Sequence, residues 1–173
     1  ETKVQRPLFL TQWNHREWAL IGLSRGYVGV VYPGADVRDA APCFKRAYPN
    51  KTMALIAARA FVASCTLDYA LSFPNIARDE VSITGHSRNG KESLIAAAFD
   101  SRITAVVGSS AGSPISTPWR FTSRNWYGEL PDTAVFDNTS HWASWWLPSV
   151  AQWDDNPASM PIDGHGVLGM IAP

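Results

Sequence analysis

Apolar positions along the chain fall into short blocks that alternate between two periods, and that alternation predicts the elements. Pro7 to Gln12 is a brief apolar run, and Glu17 to Leu23 then carries apolar residues at helical spacing, closed by Arg25-Gly26. Tyr27 to Tyr32 is valine-rich and ends at Pro33-Gly34, the pattern of a buried strand. Asp36 to Asn50 is polar, contains Pro42 and Pro49, and reads as a surface loop. Met53 to Leu71 runs at helical spacing until Pro74 ends it. Val81 to Thr84 is a strand, Lys91 to Phe99 a helix, and Ile103 to Val107 another β-branched strand before the small-residue turn Gly108 to Gly112. The predicted order is strand, helix, strand, helix, strand, helix, strand. It calls for an α/β fold, a mostly parallel sheet with helices on both faces, and ligands beyond the carboxyl ends of the strands.

After Ser113 the pattern changes. The stretch 114–153 carries six of the eight tryptophans with little periodicity, and we read it as a lid-like insertion; a packing segment without a ligand role is the alternative. Pro161 to Ala172 reads as a short helix.

Composition narrows the function classes. Fifteen basic residues against fifteen acidic ones leave no net field, so neither nucleic acid nor an anionic membrane is an expected partner. No apolar run approaches the roughly 20 residues that a bilayer span needs. No signal peptide opens the chain, which predicts a soluble protein, already trimmed or partial. Two cysteines, Cys43 and Cys65, are too few for a disulfide scaffold, and their pairing stays open. Asn50-Lys51-Thr52 and Asn138-Thr139-Ser140 match the glycosylation acceptor pattern, and a secreted or extracellular location is the expectation.

The chemistry centres on Val81-Ser82-Ile83-Thr84-Gly85-His86-Ser87-Arg88-Asn89-Gly90-Lys91. A β-branched strand breaks into a serine set between Gly85 and Gly90 and then enters an apolar helix, as in a nucleophile elbow. At such an elbow the serine sits in a strained turn with its Oγ above the sheet edge, and the next backbone N–H faces a developing oxyanion. The spacing is Gly-x-Ser-x-x-Gly, and the strand before it and helix after it supply the context that the motif requires.

This elbow, the following Ala96-Ala97-Ala98-Phe99-Asp100-Ser101-Arg102-Ile103, and the late Met160-Pro161-Ile162-Asp163-Gly164-His165 through Ile171-Ala172-Pro173 resemble the glucuronoyl esterases, carbohydrate esterase family fifteen. The resemblance runs from about Arg25 to the end and extends to related bacterial hydrolases. It implies the α/β-hydrolase fold and a serine carboxylic-ester hydrolase working without metal or organic cofactor on glucuronoyl or other carbohydrate-linked esters. Residue by residue, it implies that Ser87 is the nucleophile and that Arg88 helps hold the oxyanion. It further implies that Lys91, one helical turn on, hydrogen-bonds sugar hydroxyls, and that Trp145 packs on the uronate, although Trp146 beside it leaves the register open. Without the resemblance, Arg88 reads equally as a carboxylate partner, Lys91 as a solvated helix residue, Trp145 as core and His86 as packing.

Two departures stand out. In many family members the turn after the next strand carries the catalytic acid just before Ser-Gly; here that turn is Ser109-Ser110-Ala111-Gly112, with Ser110 at the acid's position. Other members place the acid on a later strand and the base histidine later still, beyond Pro173. Three readings follow. The chain is a partial α/β-hydrolase domain over 1–173, lacking the first and last strands and completed by missing segments or other chains. Or His165, with Asp163 near it, is the base. Or the chain is complete and non-catalytic, a binding or structural module whose exposed sheet edges need partners.

Overall fold

The computed structural model describes residues 4–35, 39–112, 115–118, 145–153 and 156–171 of the 173-residue chain. Four parallel strands form one sheet: β1 (Arg6–Gln12), β2 (Val28–Tyr32), β3 (Ile76–His86) and β4 (Ala105–Ser109), in the order β2-β1-β3-β4. Parallel neighbours need crossover connections, and helices supply them. They are α1 (Arg16–Ser24), α2 (Ala41–Ala47), α3 (Leu55–Ala70) and α4 (Arg88–Phe99), with α5 (His165–Ile171) packed against α4 near the end of the chain. The alternation predicted from the sequence is thus present, although β3 begins at Ile76, well before the expected Val81.

The stretch read as a loop, Asp36 to Asn50, holds α2. Pro42 lies in the first turn of that helix, where its missing N–H costs nothing and its fixed φ suits the helix. Asp39 supplies the start, accepting the Ala41 N–H at 2.9 Å while Arg59 on α3 grips both carboxylate oxygens at 2.9 and 3.1 Å. Burial raises the Asp39 pKa, but the bonds from Arg59 and Ala41 outweigh it and hold the carboxyl below its ordinary value. Cys43 on α2 and Cys65 on α3 are both free thiols.

The sheet has two unlike faces. Period-two alternation sends Leu8 and Leu10 of β1, with Val81 and Ile83 of β3, into one fully buried core beneath α3 and α4. Each such side chain contributes roughly 1.5–3 kcal/mol. Apolar residues lie on most sides of α3, which packs against α2, α4 and the sheet and turns Cys65, Asp68 and Tyr69 to solvent; its alanines Ala60 and Ala63 let it lie close. On the opposite face α1 covers β1 and β2. A Cβ at Gly22 would come 3.3 Å from the Phe9 ring, and one at Gly29 would come 3.1 Å from Ala19. Toward β4 that cover ends. A hollow of about 460 Å³ lies there, lined by Phe9, Trp18, Ile21, Ser82, Thr84 and Val107, and Val107 is 64% exposed. Burial of the strands on both sides therefore holds for β1 and for much of β3, but not for β4.

Candidate active site

β3 delivers Ser87 to the carboxyl edge of the sheet. Gly85 and His86 end the strand, and Ser87 caps α4 with φ 55° and ψ −122°. This conformation costs a non-glycine residue about 1–3 kcal/mol and persists only where the surroundings enforce it. The enforcing contacts are visible. The Ser87 N–H donates to the Ser109 carbonyl at 2.8 Å, and the Ser87 carbonyl accepts the Lys91 N–H at 3.0 Å, the first bond of α4. Behind the turn there is no room: a Cβ on Gly85 would fall 2.4 Å from the Asn89 carbonyl oxygen and 2.5 Å from Gln12 Oε1. The Ser87 side chain itself is exposed. It stands at the positive end of a 12-residue helix, where negative charge is favoured.

The other sequence-predicted residues gather around it. Arg88 opens α4, and its guanidinium carbon lies 5.3 Å from the centre of the Trp145 ring, a cation–π contact. Trp145 is buried, 5% exposed, so Arg88 covers it. Trp146, beside it, packs against Met160 and against the main core. Lys91, half-buried, donates from Nζ to the Ala111 carbonyl and so ties α4 to the turn after β4. There the ammonium acts as a donor, the opposite of a general base.

The register His86↔Ser109 brings the turn after β4, which begins at Ser110, beside the turn that holds Ser87. Ser110 has φ 47°, the second positive φ among the described non-glycine residues. His86, expected to be packing, is exposed: its Nδ1 lies 3.1 Å from Ser109 Oγ and its ring stands edge-on to His15 at 6.1 Å. It is the last residue of β3, beyond the reach of the covering helices. His165 and Asp163 sit at the start of α5, 3.5 Å apart, with Asp163 also accepting the Gly164 N–H at 2.7 Å. Among the described residues no hydrogen bond joins His165, or any other histidine, to Ser87. Most of the lid-like stretch, 119–144, lies outside the described residues. Its described end, Pro148–Trp153, is a 3-10 helix.

Beneath the elbow runs a polar network that the sequence pattern does not reveal. Gln12, at the end of β1 and fully buried, donates to the Tyr32 hydroxyl at 2.7 Å and to Ser93 Oγ at 2.9 Å; Ser93 donates to the Asn89 carbonyl at 2.8 Å. Burial, and then the nearby Glu92 carboxylate, push the Tyr32 hydroxyl well above its ordinary range, so it stays protonated. Asn89, 1% exposed, accepts the Ala35 N–H at 2.9 Å through Oδ1 and meets His15 Nε2 at 3.3 Å through Nδ2. The one signal in the sequence is placement: polar residues at strand ends and in the first turn of an otherwise apolar helix.

Comparison with known proteins adds to this geometry. The family model described as "Glucuronyl esterase, fungi" matches residues 34–173. The chain belongs to the glucuronyl esterase family. Among relatives, a carbohydrate esterase from an unknown prokaryotic organism is 35% identical over 118 residues, covering 68% of this chain and 26% of the relative. A 4-O-methyl-glucuronoyl methylesterase 1 of Sodiomyces alcalophilus is 32% identical over 99 residues, covering 54% and 18%. Among solved structures, the chain is similar to a family 15 glucuronoyl esterase from Caldicellulosiruptor kristjansonii. That match has TM-score 0.76 and 23% identity over 97% of this chain and 51% of the other. It is also similar to the Sporotrichum thermophile glucuronoyl esterase, with TM-score 0.77 and 17% identity over 100% and 49%. The family's α/β-hydrolase fold is the fold of this chain. The chain spans about a quarter or less of these curated relatives and about half of these solved chains.

Proposed function

We propose that this chain carries the nucleophile of a serine esterase that hydrolyses glucuronoyl or other carbohydrate-linked carboxylic esters. The observation that carries the reading is the exposed Ser87 held at φ 55° between the carboxyl end of β3 and the head of α4. In the proposed reaction Ser87 Oγ attacks the ester carbonyl carbon and gives up its proton to a general base. The alcohol then leaves with a proton, and water releases the acid from the acyl-enzyme. The Arg88 backbone N–H, at the head of α4, and its guanidinium are the proposed donors to the oxyanion. Lys91 is the proposed ligand of sugar hydroxyls, and Trp145 supports the uronate through the Arg88 it carries. The stretch 114–153 is proposed as the lid over this edge.

Two names support the substrate class: the methylesterase and the carbohydrate esterase among the relatives. The test is direct. A fluorophosphonate should label Ser87 in the intact protein, and Ser87→Ala should abolish both labelling and hydrolysis of a uronate methyl ester. Unchanged hydrolysis in Ser87→Ala would overturn the reading. Absence of both labelling and hydrolysis in the intact wild-type protein would favour the second one, a non-catalytic carbohydrate-binding or structural module on the same fold. That second reading draws on Ser110 at the acid's position.

A further inference from the structure

Asn89 is two residues past Ser87, in the first turn of α4, and its carboxamide reaches two other segments. One is the loop after β2, where the Ala35 N–H points at Oδ1 from 2.9 Å. A backbone N–H can only donate, so the atom facing Ala35 is the oxygen, and the amide orientation is fixed without appeal to any other contact. The other segment is the turn after β1, where Nδ2 faces His15 Nε2 at 3.3 Å. An amide nitrogen can only donate, so Nε2 of His15 must offer its lone pair. A neutral imidazole with an acceptor at Nε2 carries its proton on Nδ1.

We propose that Asn89 is a positioning residue that holds His15 as the neutral Nδ1–H tautomer and clamps the segments after β1 and β2 onto the turn that carries Ser87. The surroundings leave no slack for another arrangement. A Cβ on Gly34 would sit 2.7 Å from Asn89 Oδ1 and 2.6 Å from Gln12 Cβ, so the β2 loop passes directly over this side chain. The Asn89 carbonyl is itself held by Ser93, which Gln12 holds in turn. The histidine is fixed from its flat side by Trp18, stacked at 4.6 Å, and from its edge by His86 at 6.1 Å. Three strand ends, those of β1, β2 and β3, thus meet through one buried amide behind the nucleophile.

The catalytic half of this proposal rests on the esterase reading; the tautomer half does not. The decisive variant is Asn89→Asp, which fits the same space and still accepts from Ala35 but presents an oxygen to His15. Long-range 1H–15N spectra of the intact protein at neutral pH should show His15 unprotonated at Nε2 in the wild type and protonated there in Asn89→Asp. Ser87→Ala should leave the wild-type signature in place, which separates this test from that of the nucleophile. Asn89→Asp and Asn89→Ala should each lower kcat by about ten- to a hundred-fold with little change in KM, as misplacement of reacting groups does. The rate of fluorophosphonate labelling should fall with kcat. A wild-type His15 protonated at Nε2, or an Asn89→Asp protein with altered tautomer but wild-type kcat and labelling, would overturn the proposal. Should Asn89→Asp fold poorly, His15→Gln, whose side-chain oxygen can accept from Nδ2, should lose less kcat than His15→Leu. Equal losses in the two would count against it.

Discussion

Two neighbouring turns at the carboxyl edge of the sheet each hold a serine in the left-handed region: Ser87 after β3, at φ 55°, and Ser110 after β4, at φ 47°. The first is backed by Gly85, Asn89 and Gln12 without room for a methyl group, and it feeds directly into a helix. The second is tied by the Lys91 ammonium on the Ala111 carbonyl, and beside it Gly112, at φ 58°, lies in open space, where an added Cβ would meet nothing nearer than Lys91 Nζ at 3.7 Å. Both serines thus have a positive φ, but the packing lies in different places: directly behind the serine in the first turn, and at Ala111, 2% exposed, in the second, which loosens at Gly112. What distinguishes the turn at Ser87 is that the packing stands behind the serine itself.

Each side of this contrast can be broken separately. The largest effect should come from Ser87→Ala, with esterase turnover down by at least about a thousand-fold, measured with a uronate methyl ester. Next, Gly85→Ala forces a Cβ against backbone and should lower stability by about 1–3 kcal/mol. Gly112→Ala should cost only about 1 kcal/mol, and denaturant unfolding compares the two. Equal losses would mean that the elbow is no more tightly packed than its neighbour. Lys91→Met removes the tie to Ala111 and should cost about 0.5–1.5 kcal/mol, together with a raised KM if Lys91 also binds sugar. Ser110→Gly should give the smallest change, a gain of at most about 1 kcal/mol with ester turnover retained.

Acid offers a control that touches neither turn. The Asp39 carboxyl is pulled below its ordinary value, with Arg59 and the Ala41 N–H outweighing burial, and that of Asp100 chiefly by Arg102. A depressed folded pKa contributes stability that is present above the unfolded value and lost as pH falls through the folded one. Unfolding midpoints should therefore drop as pH falls below about 4, and Asp39→Asn should flatten part of that slope.

Much of the fold was legible because apolar period tracks burial. The short apolar run of Pro7 to Gln12 and the helical spacing of Met53 to Leu71 led to β1 and α3, and the elbow motif led to the turn at Ser87 between β3 and α4. What escaped had no periodic signature. The α2 helix is seven residues long and has a proline in its first turn, and Pro42 marks a loop or a first turn equally well until Asp39 and Arg59 are seen to meet. Asn89 and His15 are 74 positions apart, and their pairing depends on strand order that no local pattern encodes. His86 read as packing because it precedes Ser87 and points away from it, yet it is the last residue of β3 and lies exposed.

The hollow beside β4 has a consequence for handling the protein. Phe9, Ile21 and Val107 leave a mostly apolar surface open there, closer in character to an interior than to a solvated exterior. An environment-sensitive dye such as anilinonaphthalene sulfonate should light up on a natively folded chain of this span, and high salt that strengthens apolar association should bring it out of solution early.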